Sequence, residues 1–240
     1  MNIVITGASR GIGYETAKLM CKEHKVIVIS RSTAKFPKNA THIPFDLEKG
    51  NITKDLLPKV KMALSPLSQR RGVGGEVDVL INNAATLIKK PFAELTRKDF
   101  ENIFSVNLFS IVELTQALIP LMTSSPMGRA GVEHRSHVLN IASMGGVQGS
   151  QKFPGLSAYS SSKGALITLT ECLAEEFKNK NIAFNTIAFG SVQTEMLSEA
   201  FPGFKAPITA AEAAKFVADF ALTGHKYFNG KILQMALSTP

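Results

Sequence analysis

Short, uniformly apolar runs alternate along the chain with longer stretches whose apolar residues recur every three or four positions. The runs are Ile3-Val4-Ile5, Lys25 to Ser30, His42 to Phe45, Val77 to Ile81, His137 to Ile141, Ala183 to Ala188 and Lys231 to Ala236. Their length and β-branched content predict buried strands, as in a parallel sheet. Helical patterns fill the intervals. One carries Ile12, Thr16, Leu19 and Met20 on one side, and a second covers Ile52 to Arg71. A third opens on the capping pair Thr96 and Asp99 and continues to about Met122; two more span Ser157 to Lys178 and Thr209 to Leu222. Pro58 and Pro66 predict that the second of these is broken or shortened. Arg70 to Gly75 and Ser124 to Ser136 read as loops. The alternation predicts an α/β fold, a Rossmann-type doubly wound sheet of about seven parallel strands with helices on both faces.

Composition narrows the class. A chain of 240 residues that is 45% apolar accommodates one large domain over residues 1–240. Its formal charge of +8 raises the question of nucleic acid, but the Lys and Arg residues are scattered and form no basic stripe interleaved with aromatics. Solvated surface charge is the expectation, with some of it available to a phosphorylated or acidic ligand. Cys21 and Cys172 both fall in helical patterns, which suits reduced thiols and a cytoplasmic location. Met1-Asn2-Ile3 runs straight into the first strand without a signal-like segment, and no apolar run is expected to span a membrane.

Candidate chemistry gathers at the strand ends. The first strand leads into Thr6-Gly7-Ala8-Ser9-Arg10-Gly11-Ile12-Gly13, and a helix follows. Glycines there allow a tight turn and close approach to a pyrophosphate, while the helix N-terminus offers N–H groups and a positive dipole end. An ordinary tight turn is the competing account of the glycines. The second strand ends in Ser30-Arg31-Ser32, where an acid would select NAD and an Arg accommodates the 2′-phosphate of NADP. Arg10, Lys35 and Lys38 add positive charge nearby, so NADP is expected over NAD. Asp46-Leu47 follows the third strand; Asp46 is suited either to an adenine amino group or to capping the next helix. Asn82-Asn83-Ala84-Ala85 ends the fourth strand, where small residues let the chain pass close to a cofactor and Asn side chains tie strands together. Asn107 lies mid-helix, where Asn marks a kink or a solvent-facing position.

Ser143 leaves the fifth strand, and Tyr159 and Lys163 lie one helical turn apart on one face. Lowering a phenol from a pKa of about 10 to about 7 takes about 4 kcal/mol, which is roughly the interaction with an ammonium about 4 Å away. That spacing also arises on ordinary amphipathic helices. After the sixth strand come Phe189-Gly190-Ser191-Val192-Gln193-Thr194-Glu195-Met196 and a stretch, residues 197–207, whose Phe201, Pro202, Gly203 and Phe204 suit a substrate flap or core packing.

Taken in order, these motifs resemble the short-chain dehydrogenase/reductase family in its single-domain form. Thr6 to Gly13 is similar to TGxxxGxG, Asn82 to Ala85 to NNAG with the last Gly replaced, Tyr159 through Lys163 to YxxxK, and Phe189 to Thr194 to PG-x-V-x-T. The resemblance implies a catalytic set of Asn107, Ser143, Tyr159 and Lys163. It implies cofactor contacts from Gly7, Ser9, Arg10, Gly11, Ile12, Gly13, Arg31, Ser32, Asp46, Leu47, Asn83, Ala84, Ala85, Tyr159, Lys163, Gly190, Val192 and Thr194. The implied activity is NADPH-dependent reduction of a carbonyl to an alcohol, or the reverse, with NAD possible as cofactor and no metal. Tyr159 would give the proton, Lys163 would lower its pKa and hold the nicotinamide ribose, Ser143 would bond the substrate oxygen, and Asn107 would anchor a water. A homodimer or homotetramer is implied as well, acting on a small carbonyl or alcohol substrate. Phe189 in place of Pro, the long interval from Ser143 to Tyr159, and Gly230 to Ala236 in place of a DGG ending depart from the family pattern. Met144, Phe153, Phe189, Met196, Phe201 and Phe204 are candidates to line an apolar substrate cavity. A 3-oxoacyl-carrier-protein reductase, a non-catalytic NADP-binding regulator and a sugar-nucleotide epimerase are the competing functions.

Overall fold

The computed structural model describes residues 1–31, 36–68, 76–122 and 135–237. Ser32, Lys35, the Arg70 to Gly75 segment and residues 124–134 of the polar stretch lie outside them. In chain order the elements are β1 (Asn2–Thr6), α1 (Gly11–Met20), β2 (Lys25–Ser30), β3 (Thr41–Pro44), α2 (Leu57–Ser68), β4 (Val79–Asn82), α3 (Arg97–Phe104), α4 (Ser110–Met122), β5 (Ser136–Ser143), α5 (Ser157–Glu176), β6 (Ile182–Phe189), β7 (Val192–Gln193), α6 (Glu195–Ala200), β8 (Ile208–Thr209), α7 (Ala210–Thr223) and β9 (Ile232–Met235).

Seven strands form one sheet in the order β3-β2-β1-β4-β5-β6-β9, and every pairing in it is parallel. Alternating residues of each run enter opposite cores, which is why the runs are apolar throughout. Ile3, Ile5, Val28, Ile81 and Leu139 pack towards α1 and α7. Val4, Ile27, Ile29, Leu80, Val138 and Phe184 pack on the other side with Leu56, Val60, Leu114 and Leu118. The strand order reverses between β1 and β4, and crevices at such switch points, outside the carboxyl ends of the strands, are where ligands bind.

Two expectations about the helices change. Pro58 and Pro66 do not break α2. A π-helical turn at Ile52–Leu56 runs straight into it, with the Leu57 N–H on the Ile52 carbonyl, so Pro58 falls where the hydrogen-bond pattern changes from π to α and the interruption it brings is taken up there. Residues 97–122 also form one helical stretch long and apolar enough to match a membrane span, contrary to the sequence reading. Its Ile103, Ile111, Leu114, Leu118 and Met122 are buried in the fold, as in the core helix of a globular domain.

The capping pair appears as expected: Thr96 and Asp99 form a reciprocal capping box at the start of α3, and Thr209 with Glu212 forms another on α7. Between α3 and α4 the helix widens into a π-helical turn, Ser105–Phe109, with Asn107 in it and fully buried. Of the two meanings a mid-helix Asn carries, the bulge is the one realised.

Candidate active site

Gly7 and Gly11 adopt φ of 69° and 59°, which β-carbon-bearing residues avoid. They turn the chain from β1 into α1. A Cβ on Gly7 would lie 2.6 Å from the Cα of Ala84, and one on Gly13 would lie 2.3 Å from the amide nitrogen of Asn83. The contact is locked from the β4 side. Asn83 Nδ2 donates to the carbonyls of Thr6 and Gly7, while Thr6 Oγ1 accepts from the N–H groups of Asn83 and Ala84, all at 3.0 Å. Helix α1 has no side-chain cap and no acid in its first turn, which suits its N–H groups to an anion. This combination fits the phosphates of a dinucleotide. Thr194, which caps α6, brings its methyl group within 3.4 Å of a Cβ built on Gly11, so the sixth strand's exit closes the far side.

The other cofactor candidates stand around this turn. Ser9 and Ile12 are partly buried on it, and Ala84 and Ala85 are partly buried beside it. Gly190 donates its N–H to the Met235 carbonyl, and Val192 is buried. Arg31 is exposed at the end of β2. Asp46 and Leu47 follow β3, and Asp46 does not cap a helix. Its Oδ1 accepts from Glu48 N at 2.9 Å in a local turn, and Asn51 caps instead.

The four candidate catalytic residues converge between β5, α4 and α5. Ser143 is the last residue of β5, where its Oγ accepts from Gly145 N at 3.2 Å and is hydrogen-bonded to Tyr159. Asn107 accepts from Thr86 N at 2.8 Å and donates to the Thr86 carbonyl and to Ser162 Oγ, both at 3.0 Å. Ser162 in turn donates to the Tyr159 carbonyl at 2.7 Å. The π-helical turn and α5 are therefore bolted together through a hydroxyl between the Tyr and the Lys. Lys163 is fully buried, and its Nζ donates to the Ile141 carbonyl at 2.8 Å.

Electrostatics here run against the simple expectation. Burial pushes the Tyr159 phenol up to about 12, only partly offset by the Ser143 hydrogen bond. Burial also brings Lys163 down to about 8. The ammonium nitrogen lies 5.9 Å from the Tyr159 ring centre and is directed to a carbonyl, so it does not acidify the phenol by contact.

Of the apolar residues expected to line a cavity, Phe189 faces the core with Ile187 and Val192, and Met144 is buried. Phe189 therefore does not reshape a pocket by projecting into it. Phe153 and Phe201 do meet, with ring centres 6.4 Å apart. Lys89, which sequence reasoning passed over, donates to the Ala200 carbonyl at 3.1 Å and sits 4.0 Å above the Phe201 ring. Glu199, also passed over, pairs with Arg10 at 2.7 Å. Thr6, Thr86 and Ser162 were missed as well. For Ser162, a hydroxyl directly before the buried Lys was the available signal.

The chain matches the short chain dehydrogenases over residues 1–203. It belongs to that family. Ketoacyl reductase HetN of Nostoc is 30% identical over 229 residues, covering 88% of this chain and 72% of that one. Carbonyl reductase [NADPH] 2 of Sus scrofa is 30% identical, covering 82% and 73%. Among solved structures, the 3-ketoacyl-(acyl-carrier-protein) reductase of Brucella melitensis complexed with NADH superposes with a TM-score of 0.80 at 24% identity, over 97% of this chain and 95% of that one. Being a short chain dehydrogenase, the chain is a nicotinamide-dinucleotide-dependent oxidoreductase acting between carbonyl and alcohol. Its seven-stranded parallel sheet is the fold of that family.

Proposed function

We propose that this short chain dehydrogenase works as an NADPH-preferring carbonyl reductase, with Tyr159 as the proton donor. The observation that carries the reading is the Tyr159 hydroxyl held by Ser143 at the end of β5, with a buried lysine one turn along. Burial keeps the phenol protonated at neutral pH, the form in which it can donate to a substrate oxygen. The bound dinucleotide would supply the hydride, its phosphates cradled by the Gly7 to Gly13 turn and its nicotinamide reaching towards Ser143, with Thr194 closing the far side. Ser143 and Tyr159 together orient the substrate oxygen and stabilise its developing charge. Lys163, near 8, is a stronger acid than the phenol, so proton return from it to a tyrosinate runs downhill. Asn107 positions α5 through Ser162. The cofactor preference is supported by Arg10 and Arg31 near the expected adenosine ribose and by the lack of an acid at the end of β2.

The narrower reading, a 3-oxoacyl-carrier-protein reductase, is favoured by the names of relatives and by a net charge of +8 that would attract an acidic carrier. Location in the cytoplasm and assembly into a homodimer or homotetramer belong to the same proposal. Free thiols at Cys21 and Cys172 support the first, and the exposed Phe92 and Phe109 support the second. A monomeric elution profile would count against the oligomer.

The test is NADPH and NADH consumption at the nicotinamide band against ketones, aldehydes and 3-oxoacyl thioesters. Tyr159→Phe is expected to lower kcat by about a thousandfold or more while NADPH binding stays within about twofold. Retained turnover would remove Tyr159 from the chemistry, and failure of every member of the panel to elicit consumption would favour the regulatory binding protein.

A further inference from the structure

Arg10, a candidate ligand of the cofactor, already has a partner in this fold. Its Nη1 lies 2.7 Å from Glu199 Oε1, a contact between residues 189 positions apart. Glu199 closes the C-terminal turn of α6, and the segment around it is held from several sides. Thr194 caps the helix, and Gln193 donates to Ser198 Oγ at 2.9 Å. The next two residues, Ala200 and Phe201, are engaged by Lys89, and Phe153 meets the Phe201 ring edge-on. The carboxylate is thus delivered to the glycine turn by a segment anchored on its other side by Lys89 and Phe153.

We infer that Glu199 is a cofactor-selecting residue, acting through Arg10. The inference rests on Arg10 receiving the 2′-phosphate, as the proposed function has it. A phosphomonoester and a carboxylate seek the same guanidinium with the same kind of charge-assisted bond. When NADP(H) binds, its phosphate displaces or crowds Glu199. When NAD(H) binds, Glu199 keeps Arg10 neutralised and no cation is left unpaired. The carboxylate therefore narrows the preference for NADP(H) that the two arginines create, and holds NAD(H) within reach.

Both partners are more than half exposed, so the effect is that of a surface pair. Glu199→Gln is expected to tighten NADPH about two- to fivefold and to leave NADH unchanged. Titration of the purified protein with each reduced dinucleotide, read by nicotinamide fluorescence, measures binding without turnover. Glu199→Asp, which keeps the charge, should stay near the parent. In an Arg10→Gln background the gain from Glu199→Gln should vanish, and raising salt from about 0.05 to 0.5 M should shrink it. Equal tightening of both dinucleotides, or no change with either, overturns the inference while leaving NADPH dependence standing. If Arg10→Gln binds NADPH as well as the parent, the premise in the proposed function fails and the inference falls with it.

Discussion

The two walls of the cleft are built differently. On the β1–β4 side, the glycine turn meets Asn83 and Ala84 through a set of hydrogen bonds that each involve a main-chain group, at distances where no side-chain atom could be added. On the far side, α6 and the residues after it are tied down by exposed side chains: Arg10 to Glu199, and Lys89 to Ala200 and Phe201. No residue of α6 is buried. The first wall is set by backbone geometry and answers to sterics. The second is set by solvent-facing charges and rings and answers to salt and ligands. The glycine turn that suits a dinucleotide lies on the fixed wall, and the segment next to the candidate catalytic residues that can yield lies on the adjustable one.

Gly7→Ala attacks the fixed wall and should show the largest effect. With a Cβ 2.6 Å from the Cα of Ala84 and φ of 69°, the turn must shift, costing about 3 kcal/mol of stability and most dinucleotide affinity. A variant with parental Tm and Kd would show that this wall also yields. Lys163→Met probes the floor between the walls. Folding lowers the pKa of this amine from 10.5 to about 8, so the unfolded chain holds its proton longer and stability rises with pH between about 8 and 10.5. At pH 7 the cost of burying the ammonium is set against a charge-assisted bond to the Ile141 carbonyl, worth about 1.5–3 kcal/mol. Lys163→Met should therefore abolish the rise above pH 8 and abolish turnover. Denaturant melts from pH 7 to 10.5 check this, and a rise that persists in the variant would show that Lys163 is not its cause. Lys89→Ala touches the adjustable wall and should be the mildest, changing stability by less than about 0.5 kcal/mol and KM a fewfold with kcat nearly intact. An effect as large as that of Gly7→Ala would abolish the contrast.

The same contrast separates what the sequence discloses from what it hides. Strands buried on both faces announce themselves as unbroken apolar runs, and the Thr96 and Asp99 box announces a helix start, because these signals are local. The glycine turn is legible for the same reason. Asn107 disclosed that something was unusual in its helix, although not that Thr86 and Ser162 would be its partners. Phe189 was misread as pocket-lining although it shares the face of Ile187, two residues before it, which is the core face. Lys163 was expected to act on the phenol beside it, yet its nitrogen is taken by a carbonyl of β5 that only the packing of α5 supplies. Glu199 had no signal, since its partner lies at the other end of the chain.

Gly190 leads out of β6 towards α6, and its N–H is satisfied by the Met235 carbonyl while its α-carbon abuts Ala236. Removing β9 would therefore leave every candidate catalytic residue in the chain and yet take away the strand that pairs with β6 and satisfies Gly190. The chemistry is carried by the middle of the sequence, and its steadiness is lent by the last strand.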